Sequence, residues 1–205
     1  MPAAAPRLTL SPTDFLGWES SQDGRHEYHR GEVFAMAGGT ETHARIITNL
    51  VLTLGGALRG SGCTVYTEAL RVRVEAEDLF TYPDLSVVCG GGTFYDARRT
   101  TLLDPAVLVR VLSPSTEQYD RTTKWRFYRQ ISALQAYVLV GQDAPAVDVY
   151  SRDGDGWRVT SEAADGTVAI PMPVGPVTVG LGDVYDGVAF PESLARPGTP
   201  RSAEL

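Results

Sequence analysis

The sequence predicts an α/β domain of the mixed α+β kind, a central mixed sheet flanked by helices. Three observations predict it. Compact apolar runs at 85–88, 106–112 and 136–140 read as central strands. Two longer helical segments, 41–59 and 116–131, alternate with those strands along the chain. The chain has 205 residues, 43% of them hydrophobic, enough to bury one real core.

Each element follows in order. Ser11 to Trp18 reads as a short capped helix, with Pro12 tolerated in its first turn. Residues 26–30 and 32–37 read as two strands around the turn at Gly31. Gly38-Gly39-Thr40 breaks that pattern before the 41–59 helix, whose Ile47, Val51, Leu54 and Leu58 keep helical spacing and mark a core face. Gly60 and Gly62 end it. Residues 63–74 read as one extended strand. After the runs at 85–88 and 106–112, Ser113-Pro114-Ser115-Thr116 punctuates the chain before the 116–131 helix. Strands at 136–140 and 147–150 come next, and Asp153-Gly154-Asp155-Gly156 is a hairpin turn into 157–160. Short β-like runs finish the domain. Residues 8–190 form the expected single domain, and 1–7 and 191–205 read as frayed tails.

Composition narrows the function. The net charge is −7 and the pI about 4.9, which argues against a passive, nonspecific DNA coat but leaves room for a local basic groove. No run approaches the roughly 20 apolar residues of a membrane span. The first seven residues lack the pattern of a signal peptide, so the expected home is the cytoplasm. Cys63 and Cys89 form no C-x-x-C motif and read as buried free thiols. Gly90-Gly91-Gly92 has no Lys-Ser/Thr pair after it and is no phosphate loop, and no G-x-S-x-G suggests a serine hydrolase.

Candidate chemistry lies along the central strands. Phosphodiester cleavage needs a divalent cation on oxygen ligands, an activated water and neutralisation of developing charge. A carboxylate at a strand end, Asp84 after Pro83, suits the first need, and Lys124 on the following helix suits the other two. Taken singly, Asp84 reads equally as a turn aspartate. Lys124 reads equally as the i, i+4 partner of Asp120. Ser115 or Thr116 can cap the helix, and Arg121, Lys124, Arg126 and Arg129 give it a basic face interleaved with Trp125 and Tyr128, which either stack on a ligand or belong to the core. Glu27 and His29 share a strand face, whereas His26 and His29 point apart and cannot chelate together. Glu27 either completes an acidic pocket or pairs with Arg25 or Arg30. His43 either faces the cleft or caps its helix.

Taken together, Tyr82-Pro83-Asp84-Leu85-Ser86-Val87-Val88, Val109-Arg110-Val111-Leu112-Ser113-Pro114-Ser115-Thr116, Asp120-Arg121, Lys124, Tyr128 and Ala136-Tyr137-Val138-Leu139-Val140 resemble the Uma2 family, also called DUF820. His26-Glu27-Tyr28, Gly31-Glu32-Val33 and His43 extend the likeness over residues 8–190. The family resembles the PD-(D/E)xK nucleases. The resemblance therefore implies a restriction-endonuclease-like core, a DNA phosphodiester substrate, Mg²⁺ or Mn²⁺, and a homodimer. It implies metal ligation by Asp84 and the Val111 carbonyl, catalysis by Lys124 with Glu27, and support or phosphate binding by His43, Ser113, Ser115 and Arg121. One departure stands out: the family usually has a glutamate where this chain has Arg110. A guanidinium cannot be deprotonated in a protein and repels a cation. Either the site is crippled, with Arg110 pairing to Asp84 or a phosphate, or another carboxylate, Glu27 or Glu32, has moved in. The alternative function is thus an inactive nuclease-fold protein that binds nucleic acid or a protein partner.

Overall fold

The computed structural model describes residues 9–36 and 38–190. The expected tails at 1–7 and 191–205 lie outside the described residues. In chain order the elements are α1 (Pro12–Glu19), β1 (His26–His29), β2 (Glu32–Ala35), α2 (Glu41–Ala57), β3 (Cys63–Thr67), β4 (Arg71–Val74), a 3₁₀ turn (Glu75–Glu77), β5 (Leu79–Thr81), β6 (Leu85–Cys89), β7 (Thr101–Leu102) and β8 (Val107–Val111). One helical arm follows, α3 (Glu117–Tyr119), a π turn (Asp120–Lys124) and α4 (Trp125–Tyr128). Then come β9 (Ala136–Val140), β10 (Ala146–Asp153), β11 (Gly156–Ala163), β12 (Thr167–Ile170), β13 (Val177–Gly180) and α5 (Leu181–Val184).

Two main sheets result. The larger runs β11-β10-β9-β8-β6-β3, with β8 and β9 its parallel pair. The smaller runs β2-β1-β5-β4-β7. Strands β12 and β13 make a separate antiparallel pair. The mixed sheets flanked by helices are as expected from the sequence.

Side-chain alternation along β8 explains the layering. Val107, Val109 and Val111 face a core that includes Ile46, Leu50 and Leu54 of α2. Leu108 faces the opposite core, with Val72, Val74, Phe127, Tyr128 and Tyr137. Arg110 shares the Leu108 parity and so points toward the small sheet and the helical arm. The inward face of α2 is Ile46, Leu50 and Leu54, with Ile47 and Val51 only partly buried at its edge. Buried Asn49 ties α2 to α5 and the turn after it through the carbonyls of Val184 (3.0 Å) and Asp186 (2.9 Å).

Three expectations need correcting. Residues 63–74 are two strands in different sheets, because a turn at 68–70 lets β3 pair with β6 and β4 with β5. The 116–131 helix is interrupted by the π turn. Cys63 and Cys89 are bonded to each other as a disulfide, since the β3–β6 register sets them opposite with Cα atoms 4.0 Å apart. The expected Asp153–Gly156 hairpin is present, with Gly154 at φ +57° in its two-residue loop.

Candidate active site

Asp84 sits at the entry of β6. Carrying the β6–β8 register one residue past Leu85↔Val109 sets Asp84 beside Arg110. Asp84 is buried, and its Oδ2 accepts the Val111 N–H at 2.8 Å. Its Oδ1 lies 3.7 Å from Arg110 Nη1 and 3.6 Å from His43 Nε2. His43 reaches this point because Thr40 caps α2: the Thr40 hydroxyl accepts the His43 N–H at 3.1 Å, leaving the ring to face Asp84. The capping residue is therefore Thr40, and His43 belongs to the cleft.

Arg110 is the hub. Its Nε donates to Asp120 Oδ1 at 3.2 Å and its Nη1 to the Tyr82 carbonyl at 3.0 Å. Burial alone would lower the guanidinium pKa, but Asp84 and Asp120 push it above its ordinary value. Asp120 is fully buried, and that burial raises its carboxyl above the usual range despite the Arg110 charge. Asp120 Oδ2 makes no hydrogen bond. The Asp120–Lys124 pair, the alternative reading of Lys124, does not form: Asp120 pairs with Arg110 and Lys124 with Glu27.

Lys124 turns instead to Glu27. Its ammonium donates to Glu27 Oε1 and, at 2.6 Å, to the Thr81 hydroxyl. Thr81 donates to Glu27 Oε1 at 2.5 Å and accepts from the Tyr128 hydroxyl at 3.2 Å. The β1–β5 register brings Thr81 opposite Glu27. Burial favours the uncharged form of Glu27, yet the Lys124 charge and hydrogen bonds from Lys124 and Thr81 hold its carboxyl below the ordinary value. Burial pulls the Lys124 ammonium down, and the nearby Arg110 charge adds to that. The alternative partners of Glu27 are engaged elsewhere, Arg25 with Glu68 and Arg30 with Glu77.

Other expected residues stand apart. Ser113 and Ser115 lie at the loop between β8 and α3, where Ser113 Oγ is 2.8 Å from Thr116 Oγ1 and 3.2 Å from Ser115 Oγ. No side chain caps α3; the Ser113 carbonyl accepts the Thr116 and Glu117 N–H groups. Arg121 points away, bound to Asp148 at 2.5 Å and Glu117 at 2.8 Å. The expected basic face is thus reduced to exposed Arg126 and Arg129. Tyr128 is core, and Trp125 is half-buried. His26 contacts Glu19 and His29 packs against Phe127 with the rings tilted, on opposite sides of β1 as alternation requires. Thr81, the Tyr82 carbonyl and the Tyr128 hydroxyl were not singled out in the sequence; the strand pairing of β1 with β5 is the signal that finds Thr81.

The donor set does not fit a divalent cation. Asp84 Oδ2 is spent on an amide and Oδ1 faces two nitrogen groups. The Val111 N–H is the group that meets Asp84 Oδ2. Glu27 Oε1 is taken by Lys124 and Thr81. Asp120 Oδ2 makes no hydrogen bond, but the Arg110 guanidinium is in contact with both Asp120 (3.2 Å) and Asp84 (3.7 Å) and so opposes a cation shared between those two carboxylates. Among the described residues no three His, Cys, Asp or Glu side chains converge as a cation site. Charge says the same. Three carboxylates (Asp84, Asp120, Glu27) against Arg110 and Lys124 leave one net negative charge, whereas a glutamate at 110 would leave three.

Comparison with known proteins agrees with this frame. The model of the Uma2 family, described as "Putative restriction endonuclease", matches residues 12–181. A curated protein of Synechocystis, uncharacterised, is 33% identical over 189 residues, covering 91% of this chain and 97% of that one. A second uncharacterised Synechocystis protein is 27% identical over 161 residues, 78% of this chain and 91% of its own. The crystal structure of a protein described as a putative nuclease of DUF820, from Anabaena variabilis, superposes with a TM-score of 0.64 at 20% identity, covering 82% of this chain and 93% of that one. That likeness establishes the fold. No helix among the described residues is long and apolar enough to cross a membrane.

Proposed function

Because the chain belongs to the Uma2 family, a family of nuclease type, we propose that it engages DNA on an endonuclease frame whose hydrolytic centre Arg110 holds closed. The observation that carries this is the placement of the Arg110 guanidinium, 3.2 Å from Asp120 and 3.7 Å from Asp84, where the family resemblance calls for a carboxylate. A fixed positive charge in that position supplies what a bound cation would supply to the two aspartates, and it removes the ligand a cation needs. The mouth of the site retains phosphate-binding character. His43, beside Asp84, offers a donor there, while Lys124 and Glu27 serve as a structural ion pair. The homodimer and the cytoplasmic location expected from the sequence remain part of the proposal, to be checked by sedimentation and by fractionation.

The test compares the native protein with Arg110→Glu and Arg110→Gln, using supercoiled plasmid, linear duplex and single-stranded DNA with Mn²⁺, beside calorimetric Mn²⁺ titration. The native chain is expected to bind DNA in EDTA, to take up no Mn²⁺ and to leave plasmid intact. Arg110→Glu should gain Mn²⁺ binding and nick the plasmid, and Arg110→Gln should do neither. Mn²⁺-dependent nicking by the native chain would falsify the closed-centre reading. Absence of DNA binding by the native chain and both variants would sink the functional proposal altogether.

A further inference from the structure

A second feature of the helical arm is unrelated to Arg110. One residue beyond Lys124, Trp125 leaves the buried network and joins an aromatic cluster on the outer side of β9–β11. Its ring lies 4.6 Å from Tyr150 and 4.7 Å from Trp157, the latter edge-on at 88°. All three rings are only half-buried, and all three line an open cleft of about 560 Å³. Arg152 covers one face of Trp157 with its guanidinium 4.6 Å from the ring centre. Its N–H groups donate to the carbonyls of Leu134 (2.8 Å) and Ile131 (3.0 Å), and it forms no ion pair among the described residues. Arg129 stands exposed at the same cleft with no ion pair among the described residues, and the single carboxylate of the lining is Asp155.

We infer that this cleft is a stacking platform for unpaired bases of a single-stranded nucleic acid. The chemistry selects that ligand. Partly exposed indole and phenol rings held rigidly by their neighbours offer π surface at little entropic cost. Arg129 and Arg152 supply positive charge for the adjoining phosphates. A duplex keeps its bases stacked on one another and cannot use such rings, whereas an unpaired strand can. The inference rests on the proposed nucleic-acid function and deepens it. It assigns the bound ligand as a strand with unpaired bases, held on the arm that also carries Lys124.

The test uses a labelled oligothymidylate and a labelled duplex of equal length, read by anisotropy and by quenching of intrinsic tryptophan fluorescence. The native protein should bind the single strand with quenching, more tightly than the duplex. Trp157→Ala should weaken single-strand binding about tenfold or more, with duplex binding unchanged and the protein still folded by circular dichroism. Trp157→Phe should keep most of the affinity and lose part of the quench. Arg129→Ala should lower the salt dependence of single-strand binding by roughly 0.7 in log–log slope. Duplex binding without single-strand quenching, or single-strand binding indifferent to Trp157→Ala, overturns the inference and leaves the nuclease-fold proposal standing. Binding to neither nucleic acid overturns that proposal, and the platform with it.

Discussion

Replacing Lys124 with methionine removes one charge from a buried pair and leaves the carboxylate of Glu27 behind. The Lys124 side chain is 2% exposed and that of Glu27 15%, so neither is screened by solvent in the way surface pairs are. At an effective dielectric of about 20, two charges roughly 3 Å apart attract by about 5 kcal/mol. The cost of burying the ammonium offsets part of this, and losing one partner of such a pair typically destabilises by about 3–5 kcal/mol. In a chain of this length that corresponds to a fall of roughly 10 °C in Tm. Glu27→Gln with Lys124→Met removes both charges and should recover most of the loss, to within about 1 kcal/mol of native. Urea unfolding of the two single variants and the double, followed by circular dichroism, closes the cycle. Additive effects, with a coupling below about 0.5 kcal/mol, would show that the pair is not the unit described here.

The pH dependence follows with a definite sign. The folded Glu27 carboxyl lies below its ordinary value of 4.5, so the stability it contributes is present above that pH and is lost as pH falls through the folded value. Lys124→Met removes the cause, and the extra acid sensitivity should disappear with it.

Three further outcomes are expected. His29 is held below its ordinary 6.5, chiefly by burial and then by Arg30, and its Nε2 is buried without a hydrogen bond. Stability should therefore fall as pH drops below about 6.5, by at most about 1.4 kcal/mol per pH unit; His29→Gln should flatten that slope, and an unchanged slope refutes the assignment. Reducing Cys63–Cys89, separated by 26 residues, should cost about 3–4 kcal/mol by loop entropy; a thiol titration of the unreduced, denatured protein should find no free thiol, and finding two would remove the bond. Thr40→Ala should cost about 1 kcal/mol by loss of the α2 cap and release His43 from Asp84, visible as a change in the His43 imidazole NMR signals; an undisturbed His43 would separate the cap from the site.

Much of the central sheet was legible because buried strands write their periodicity locally. The apolar runs that became β6, β8 and β9 each bury themselves through their own residues, and Pro83-Asp84 marks a strand entry by itself. What escaped was pairing between distant segments. Lys124 meets Glu27 across 97 positions, Arg121 meets Asp148 across 27, and Cys63 meets Cys89 only once β3 and β6 share a register. The break at 68–70 carries neither glycine nor proline, so 63–74 looked continuous although its halves join different sheets. Arg110 was the exception: its identity alone announced a conflict, and the geometry resolved it as an ion-paired hub. Glu27, left open between a surface pair and the pocket, was decided by its strand neighbour Thr81.

The wide turn between Asp120 and Lys124 governs how the arm tolerates changes in length. Both residues at its ends point inward, one to Arg110 and the other to Glu27. In an ordinary helix the loss of one residue swings everything downstream by about 100°. The wide turn closes over one residue more than an α turn, so removing a single residue from 122–123 would restore ordinary winding and leave the amine at 124 and the indole at 125 facing much as they do now. Deletion within 122–123 should therefore be more forgiving than the same deletion within 125–128, where no such slack exists.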